Sequence, residues 1–342
     1  MTTPDRTRLE LPVLLDDDSD DGAEGGCGDD CGCGGGAAEE YGPHECGLDP
    51  GLAALLTEAG LDPVQVEDIA HMAIEEDLDN GVDVTTVATI AEDAVSTADF
   101  TAREAGTVAG LRVAEAVLSA VFTEEFEVER HVEDGERVEP GQVLLSVRAL
   151  TRDLLTGERS ALNLLCRLSG IATATRAWAD ALEGTGAKVR DTRKTTPGLR
   201  ALEKYAVRAG GGSNHRFGLD DAVLIKDNHV ALAGGLRPAV ERARAGVGHL
   251  VKIELEVDSL EQLREALDLG VDVVLLDNMS LDELREAVRL VRQSKGGKPL
   301  TEASGGIRPD TAAAIAATGV DLLSVGWLTH SSPALDVALD VR

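Results

Sequence analysis

The second half of the chain alternates between short apolar runs and amphipathic segments, and this alternation restricts the possible folds more than any other feature. Six runs between residues 187 and 327 have the length and composition of buried strands: AKVRDTR, AVLIKDN, LVKIELEV, DVVLLDN, PLTEASGG and DLLSVGW. Three segments between them have helical patterns: LEQLREALDLG, LDELREAVRLVRQS and PDTAAAIAATG. Strand–helix alternation of this kind predicts an α/β fold with a parallel sheet.

All six runs have polar or glycine residues at or next to their carboxyl ends, such as Glu256 in LVKIELEV and Gly326 in DLLSVGW. In an α/β barrel, the carboxyl ends of all strands face one active site. In an open sheet, only the point where the strand order reverses binds a ligand. Functional groups at six strand ends therefore favour a barrel over an open sheet.

The first half of the chain has a different pattern. From Leu48, the segments PGLAALLTEAG and PVQVEDIAHMAIEEDL predict two amphipathic helices. Residues 95–148 predict strands separated by turns, with one helix at LRVAEAVLSAVF. A long helical region follows at RDLLTGERSALNLLCRLSGIATATRAWADAL, with Gly157 and Gly170 as predicted breaks.

Residues 1–47 form a separate acidic segment. They include ten glycines, and thirteen Asp/Glu against two Arg, so we predict a disordered tail. Cys27, Cys31, Cys33 and Cys46 lie here, with His44 nearby. Thiolates could bind a soft metal, but paired C-x-x-C motifs are absent from the sequence, so we favour a flexible tail with reduced thiols. The fifth cysteine, Cys166, is predicted to lie in the core.

Composition excludes several classes of protein. The chain has a formal charge of -30 and only 2% aromatic residues, which argues against nucleic-acid binding. No apolar run approaches 18 residues, so no membrane span is predicted. The N-terminus lacks the basic-then-apolar layout of a secretory signal. We therefore expect a cytoplasmic enzyme.

Within this acidic chain, residues 188–229 are basic, with nine Lys/Arg against five Asp/Glu. Arg193, Lys194 and Lys226 follow strand-like runs, and His215 and Arg216 follow a run of glycines. Such cations suit a dicarboxylate or a polyphosphate. Helical spacing instead predicts ordinary ion pairs for three other cations: Arg200, Lys204 and Arg208.

Carboxylates and glycine loops follow other strands. Glu256 and Asp277 are candidates to hold a divalent cation or sugar hydroxyls, whereas Lys252 and Glu254 are expected to satisfy each other inside the barrel. The segments EASGGI and SVGWLTHSSP combine glycines with a following helix, as phosphate sites do. Together these features predict a pocket for a phosphorylated sugar, a small polyanion and Mg²⁺.

Several long motifs resemble one family. They are GERSALNLLCRLSGIAT, DTRKTTPGLRALEKYAVRAGGGSNHR, IKDNHV, EVDSLEQLREAL, LLDNMS, EASGGI and SVGWLTHSSPALD. From about Leu48 to the C-terminus, the chain resembles the nicotinate-nucleotide pyrophosphorylase (carboxylating) family. This family is also called quinolinate phosphoribosyltransferase, and it belongs to the type II phosphoribosyltransferases of NAD biosynthesis.

The resemblance implies an α+β N-terminal domain at 48–158 and an incomplete α/β (TIM-like) barrel at 159–330, with residues 331–342 a candidate to pack on the first domain. It implies that quinolinate and phosphoribosyl pyrophosphate give nicotinate mononucleotide, pyrophosphate and CO₂, with Mg²⁺ as cofactor. It also implies at least a homodimer with shared active sites.

The same motifs imply roles for individual residues. Lys194, Glu256 and Asp277 would be catalytic. Glu256 and Asp277 would contact the ribose and would be candidate ligands of Mg²⁺, which would bind through the substrate. The partner subunit's active site would receive Arg159 as a quinolinate contact. Other substrate contacts would be Arg193, Thr195, His215, Arg216, Lys226, Ser304, Gly305, Gly306, Gly326 and His330.

Two alternatives remain at this point. One is a type II phosphoribosyltransferase that acts on nicotinate or another ring acid. The other is a non-catalytic carrier domain, because HVEDGERVEPGQVLLSV resembles the hairpins of biotinyl or lipoyl modules. Those modules carry a modified lysine, and no lysine occurs from His131 to Val147.

Overall fold

The computed structural model describes residues 46–79, 81–295 and 297–342. The predicted disordered tail, including Cys27, Cys31, Cys33 and His44, therefore lies almost wholly outside the described residues. Cys46 is half-buried, and its thiol is not in a disulfide. Among the described residues, no helix has the length and apolar character needed to cross a bilayer.

Three helices open the described chain: α1 (Pro50–Glu58), α2 (Pro63–Leu78) and α3 (Val84–Thr89). Each begins after an aspartate whose carboxylate accepts hydrogen bonds from the first turn. A proline follows this cap in α1 and α2, where its missing N–H costs no helical hydrogen bond. The sequence predicted α1 and α2, whereas α3 was not predicted.

An antiparallel sheet follows. This part of the chain contains β1 (Val95–Ala102), β2 (Gly106–Thr107), α4 (Leu111–Ser119), β3 (Glu127–Arg130), β4 (Arg137–Val138) and β5 (Val143–Leu150). The C-terminal strand β12 (Val337–Val341) completes a four-stranded sheet with the order β12-β1-β5-β3, and β2 pairs with β4 separately. Within the sheet, Phe100 of β1 is opposite Leu339 of β12.

The long helix α5 (Thr151–Ala181) corrects one prediction. The sequence predicted breaks at Gly157 and Gly170, but the helix continues through both. A Cβ atom at Gly170 would lie 2.0 Å from the carbonyl oxygen of Pro333, and one at Gly157 would lie 3.1 Å from Leu118 Cδ2. These glycines let other segments approach the helix closely, and that approach offsets their low helix propensity.

The second half contains the six predicted strands. They are β6 (Lys188–Arg190), β7 (Val223–Ile225), β8 (Ile253–Val257), β9 (Val273–Asp277), β10 (Leu300–Ser304) and β11 (Leu322–Ser324). They form one parallel sheet with the order β6-β11-β10-β9-β8-β7. Because all six strands run the same way, their carboxyl ends lie at one edge.

In the described part of this region, seven helices accompany the strands: α6 (Arg200–Ala209), α7 (Asp227–Ala233), α8 (Leu236–Gly246), α9 (Leu260–Leu269), α10 (Leu281–Gln293), α11 (Pro309–Ala316) and α12 (Trp327–His330). The predicted connectors correspond to α9, α10 and α11. One buried apolar cluster lies around the antiparallel sheet, α4 and α5, and includes Phe100 and Leu165. A second lies around the parallel sheet and includes Val274 and Leu323.

The parallel sheet brings side chains from non-adjacent strands together. Glu254 on β8 and Glu302 on β10 have β9 between them and are offset by two residues in register, so a flat sheet would separate them by more than about 9.5 Å. Nevertheless, an oxygen of each carboxylate and a ring nitrogen of His215 all lie within 4.8 Å of one another. This convergence agrees with a curled sheet. The sheet keeps two edge strands, β6 and β7, as the predicted incomplete barrel would.

Candidate active site at the carboxyl ends of the parallel strands

A cavity of about 310 Å³ lies at the carboxyl ends of the parallel strands. We call it the cationic cavity. Four Lys/Arg side chains line it, together with serine, threonine and apolar residues from the same strands. Its lining residues are Thr192, Arg193, Lys194, His215, Arg216, Leu224, Lys226, Leu275, Glu302, Ser304 and Ser324. Six of these were predicted site residues: Arg193, Lys194, His215, Arg216, Lys226 and Ser304.

The two arginines of the cationic cavity are only partly neutralised. Arg193 Nε is buried without a hydrogen-bond partner among the described residues. Arg216 Nη1 donates to the carbonyl of Ala222 at 2.9 Å. Burial, and then the positive charge of Arg193, lower the pKa of Arg216. Two neighbouring guanidinium groups with this surplus of donors form a site for a planar anion.

His215 lies in the cationic cavity, but its ring faces acidic groups. Its Nδ1 accepts a hydrogen bond from the backbone N–H of Arg216 at 2.7 Å, so the ring proton is on Nε2 in this arrangement. Nε2 lies 3.3 Å from Glu254 Oε2 and 3.6 Å from Glu302 Oε1. His215 therefore connects the loop before β7 to carboxylates on β8 and β10.

The sequence analysis did not predict Glu302 or Arg190 as site residues. Glu302 is completely buried, accepts from Arg190 Nη1 at 2.6 Å, and also accepts from the hydroxyl of Ser324. Burial, and then the charge of Glu254, raise the pKa of Glu302. The strand-like run PLTEAS contains this glutamate, and that was the sequence signal for a site residue, because a buried carboxylate requires partners.

One local pairing was predicted wrongly. Lys252 and Glu254 do not satisfy each other, because Lys252 Nζ lies 2.6 Å from Asp272 Oδ1 and its side chain is largely exposed. Lys252 precedes the first residue of β8, so strand periodicity does not govern its direction. Glu254 instead faces His215, and its Oε1 is buried without a hydrogen-bond partner among the described residues.

A second cavity, of about 240 Å³, contains the predicted Glu256 and Asp277. We call it the acidic cavity. Two further aspartates line it, with few other polar groups. Its lining residues are Asp227, Val230, Ala231, Glu256, Asp258, Gln262 and Asp277. Carboxylate oxygens accept from sugar hydroxyls, and they are also the donors that Mg²⁺ prefers, so this set fits either ligand.

An ion pair lies where the two cavities meet. Lys226, which lines the cationic cavity, places Nζ 2.7 Å from Oε2 of Glu256, which lines the acidic cavity. The Lys226 side chain is 48% exposed and the Glu256 side chain 14%. Lys226 directly follows β7, and its backbone N–H donates to Nδ1 of His229 in the first turn of α7.

Two glycine-containing loops complete the region. Gly305 and Gly306 follow β10 with left-handed backbones, at φ of 92° and 59°. A Cβ atom at Gly305 would lie 2.1 Å from Asn278 Oδ1, so glycine is required there. A Cβ atom at Gly326 would lie 2.9 Å from Lys194 Cδ, so Gly326 leaves room for the side chain of Lys194.

Among the described residues, one group of three side chains has metal-ligand spacing: His215, Glu254 and Glu302. It does not suit a metal ion. Nε2 of His215 is the nitrogen that faces the carboxylates, and it carries the proton while Nδ1 accepts from the backbone. A metal at Nε2 would require that proton to leave and the Nδ1 hydrogen bond to be lost.

Comparison with known proteins identifies the family of this chain. The model of the quinolinate phosphoribosyl transferase N-terminal domain matches residues 83–169. The C-terminal domain model of the same family matches residues 171–340. The chain belongs to the quinolinate phosphoribosyltransferase family. The carrier-domain hypothesis gains no support, because its hairpin lies inside the first match.

Individual members of the quinolinate phosphoribosyltransferase family are similar over most of their length. The nicotinate-nucleotide pyrophosphorylase [carboxylating] of Mycobacterium leprae is 50% identical over 275 residues, which cover 80% of this chain and 96% of that protein. A probable enzyme of the same name from Bacillus subtilis is 42% identical, over 81% and 94% of the two chains. The crystal structure of NadC from Streptococcus pyogenes superposes with a TM-score of 0.78 at 40% identity, over 82% and 98%.

The remaining residues that family resemblance predicted lie outside the two cavities. Arg159 is exposed on α5 and lines neither of them. Thr195 also lines neither, and its hydroxyl accepts from Arg200 Nε at 3.1 Å. His330 is exposed at the end of α12, and its Nδ1 lies 2.6 Å from the hydroxyl of Ser331. The roles of these three residues stay predictions.

Proposed function

We propose that this protein transfers a phosphoribosyl group to quinolinate and releases one carboxylate as CO₂. The products would be nicotinate mononucleotide and pyrophosphate, a step of de novo NAD biosynthesis. The observation that carries this proposal is the cationic cavity, where Arg193 and Arg216 lie together and Arg193 Nε is buried without a partner among the described residues. Family membership supports it, because similar proteins bear the name of this reaction.

The cationic cavity would bind the two adjacent carboxylates of quinolinate. Arg193 and Arg216 would donate paired hydrogen bonds, and Lys226 would add a point charge. A diacid would also relieve the repulsion that lowers the pKa of Arg216. This charge balance favours a dicarboxylate over nicotinate, which has one carboxylate.

The acidic cavity would bind the ribose. When the quinolinate nitrogen attacks the anomeric carbon, the bond to pyrophosphate breaks and positive charge develops on the sugar. Glu256 and Asp277 would stabilise this charge, and Lys194 would stabilise the leaving group. Orienting both reactants would supply on the order of 7 kcal/mol or more of the barrier reduction.

Decarboxylation would follow from the bond just formed. A quaternised ring nitrogen stabilises negative charge on the adjacent carbon, so the carboxylate on that carbon leaves as CO₂ and a proton takes its place. The loops with Ser304, Gly305, Gly306, Gly326 and His330 would hold phosphate groups. Mg²⁺, held mainly through the substrate and by oxygen atoms of Glu256 and Asp277, would neutralise the pyrophosphate.

We further propose a homodimer or larger homo-oligomer with shared active sites. Arg159 is exposed away from both cavities of its own chain, as a residue that serves a partner would be. An apolar groove of about 580 Å³ lies beside β7, with Leu219 and Leu232 largely exposed in it, and it would be covered by the partner. Sedimentation of the purified protein tests the oligomeric state. A cytoplasmic location also stays a prediction, which cell fractionation would test.

Steady-state assays with quinolinate and with nicotinate, in parallel, test the proposed function. We expect Mg²⁺-dependent release of CO₂ and formation of nicotinate mononucleotide from quinolinate. Turnover of nicotinate, or of another ring monoacid, with higher kcat/KM than quinolinate would instead identify the alternative type II phosphoribosyltransferase. No activity with any of these acids would contradict both assignments.

A further inference from the structure

The Lys226–Glu256 ion pair joins the two cavities, because each partner lines a different one. Lys226 is one of the cations of the cationic cavity, and Glu256 is one of the carboxylates of the acidic cavity. Their 2.7 Å contact means that, without ligands, the charge of each residue is already used by the other. A ligand that needs either residue must compete with this pair.

Among the described residues, no other ion pair joins a side chain of one cavity to a side chain of the other. Arg193 Nε has no partner in the described part of the chain, and Arg216 donates to a backbone carbonyl. In the acidic cavity, Asp277 accepts from the amide of Asn278 at 2.7 Å. Among these residues, the Lys226–Glu256 pair is the contact through which one cavity acts directly on the other.

We propose that the ion pair between Lys226 and Glu256 couples the binding of the two substrates. This inference rests on the proposed function. A diacid that attracts Lys226 leaves Glu256 free to accept hydrogen bonds from ribose hydroxyls. A ribose that engages Glu256 leaves Lys226 free for the diacid. Each substrate therefore increases the affinity for the other, and the two effects are equal by thermodynamic linkage.

The exposure of the pair sets the size of the effect. Lys226 is half-exposed, so solvent screens the interaction and a modest contribution is expected. Breaking the pair should change the affinity for a diacid about two- to fivefold. This change is small beside the total binding energy, but it is within the precision of calorimetry.

Phthalate is a suitable probe, because it has two adjacent carboxylates and no ring nitrogen to react. Titration calorimetry should show that phthalate binds Glu256→Gln about two- to fivefold more tightly than the original protein. The matched control is Asp277→Asn, which removes a negative charge from the same cavity but leaves Lys226 paired. Glu256→Ala replaces Glu256→Gln if the latter does not fold, as judged by circular dichroism.

The coupling itself is measured in the unaltered protein. Saturating phosphoribosyl pyrophosphate with Mg²⁺ should tighten phthalate binding about two- to fivefold, because coupling through this pair cannot exceed the effect of breaking it. The inference is wrong if Glu256→Gln binds phthalate no more tightly, if Asp277→Asn tightens binding as much, or if phosphoribosyl pyrophosphate has no effect. If the unaltered protein binds neither quinolinate nor phthalate, the proposed function is rejected instead.

Discussion

Lys204 Nζ lies 2.6 Å from Asp191 Oδ1, and both side chains are completely buried. Lys204 also donates to the carbonyl oxygen of His215, while Asp191 accepts from the backbone N–H of His215 and from Asn214. This pair thus fixes the loop that carries Arg216 into the cationic cavity. Burial lowers the pKa of Lys204, and the carboxylate of Asp191 opposes that effect.

We expect Lys204→Met to lower the free energy of unfolding by about 3–5 kcal/mol, because it leaves a buried carboxylate without its cation. Guanidinium unfolding measures this change. Arg289→Met is the control, because it removes an exposed ion pair with Glu286 on α10 and should leave the unfolding midpoint unchanged. Equal unfolding midpoints for the two variants would show that the buried Lys204–Asp191 pair stabilises the protein no more than an exposed ion pair does.

Arg216→Ala and Lys194→Ala should each reduce kcat/KM for quinolinate at least tenfold, because each removes a cation from the cationic cavity. Steady-state kinetics with both substrates varied would measure these losses. Arg264→Ala, which removes a surface pair with Glu261, should leave the kinetics unchanged. Near-normal kinetics in both cavity variants would refute the assignment of the quinolinate site.

The stability of the protein should depend on the protonation of Glu302. Its raised pKa means that the folded state keeps a proton that the unfolded state has lost, so the stabilisation declines as pH rises from about the ordinary value of 4.5 through the folded-state pKa. Glu302→Gln should therefore lose less stability than the original protein as pH increases.

Denaturant unfolding between pH 5 and pH 8 measures that difference. Glu283→Gln, at an exposed capping position on α10, is the control and should preserve the pH dependence of the original protein in this range. Stability curves for Glu302→Gln that run parallel to those of the original protein would contradict the prediction.

Gly170→Ala should destabilise the protein by several kcal/mol or prevent folding, although alanine is the better helix former by about 1 kcal/mol. The added methyl group would lie 2.0 Å from the carbonyl oxygen of Pro333. Gly246→Ala, at the last residue of α8 with open space around it, should be neutral or slightly stabilising. Thermal unfolding compares them, and equal melting temperatures would argue against close packing at Gly170.

Mixing inactive Arg159→Ala and Lys226→Ala subunits should restore part of the activity, because one hybrid site would contain both residues. The assay follows CO₂ release after the two variants exchange subunits, and mass spectrometry confirms the exchange. Each variant incubated alone is the control. Persistent inactivity in a verified mixture would mean that Arg159 does not serve a partner's site.

Local patterns predicted the secondary structure around the site well. The runs ending at Arg193, Lys226 and Asp277 contain β6, β7 and β9. They were predicted because strand formation by an apolar, β-branched run depends mainly on residues that are close in sequence. Three cations of the cationic cavity, Arg193, Lys194 and Lys226, were predicted for the same reason, since each follows a strand. Arg216 was predicted instead from the run of glycines before it. The α3 helix was missed, since it is only one to two turns long.

Local sequence patterns could not predict contacts between residues that are distant in sequence. Arg190 pairs with Glu302 across 112 positions, and Gly170 approaches Pro333 near the C-terminus. Neither relationship leaves a local period in the sequence, so Glu302 was missed and Gly170 was taken for a helix break. The direction of His215 Nε2 toward Glu254 and Glu302 likewise depends on three separate segments.

The sequence by itself determined which segments become strands and helices, which family the motifs resemble, and which cations follow the strands. Only the tertiary structure decided which charges neutralise one another: Lys226 with Glu256, Arg190 with Glu302, and Lys204 with Asp191. The physical reason is range. Secondary structure depends on residues a few positions apart, whereas burial and ion pairing depend on distances that exist only after the chain has folded.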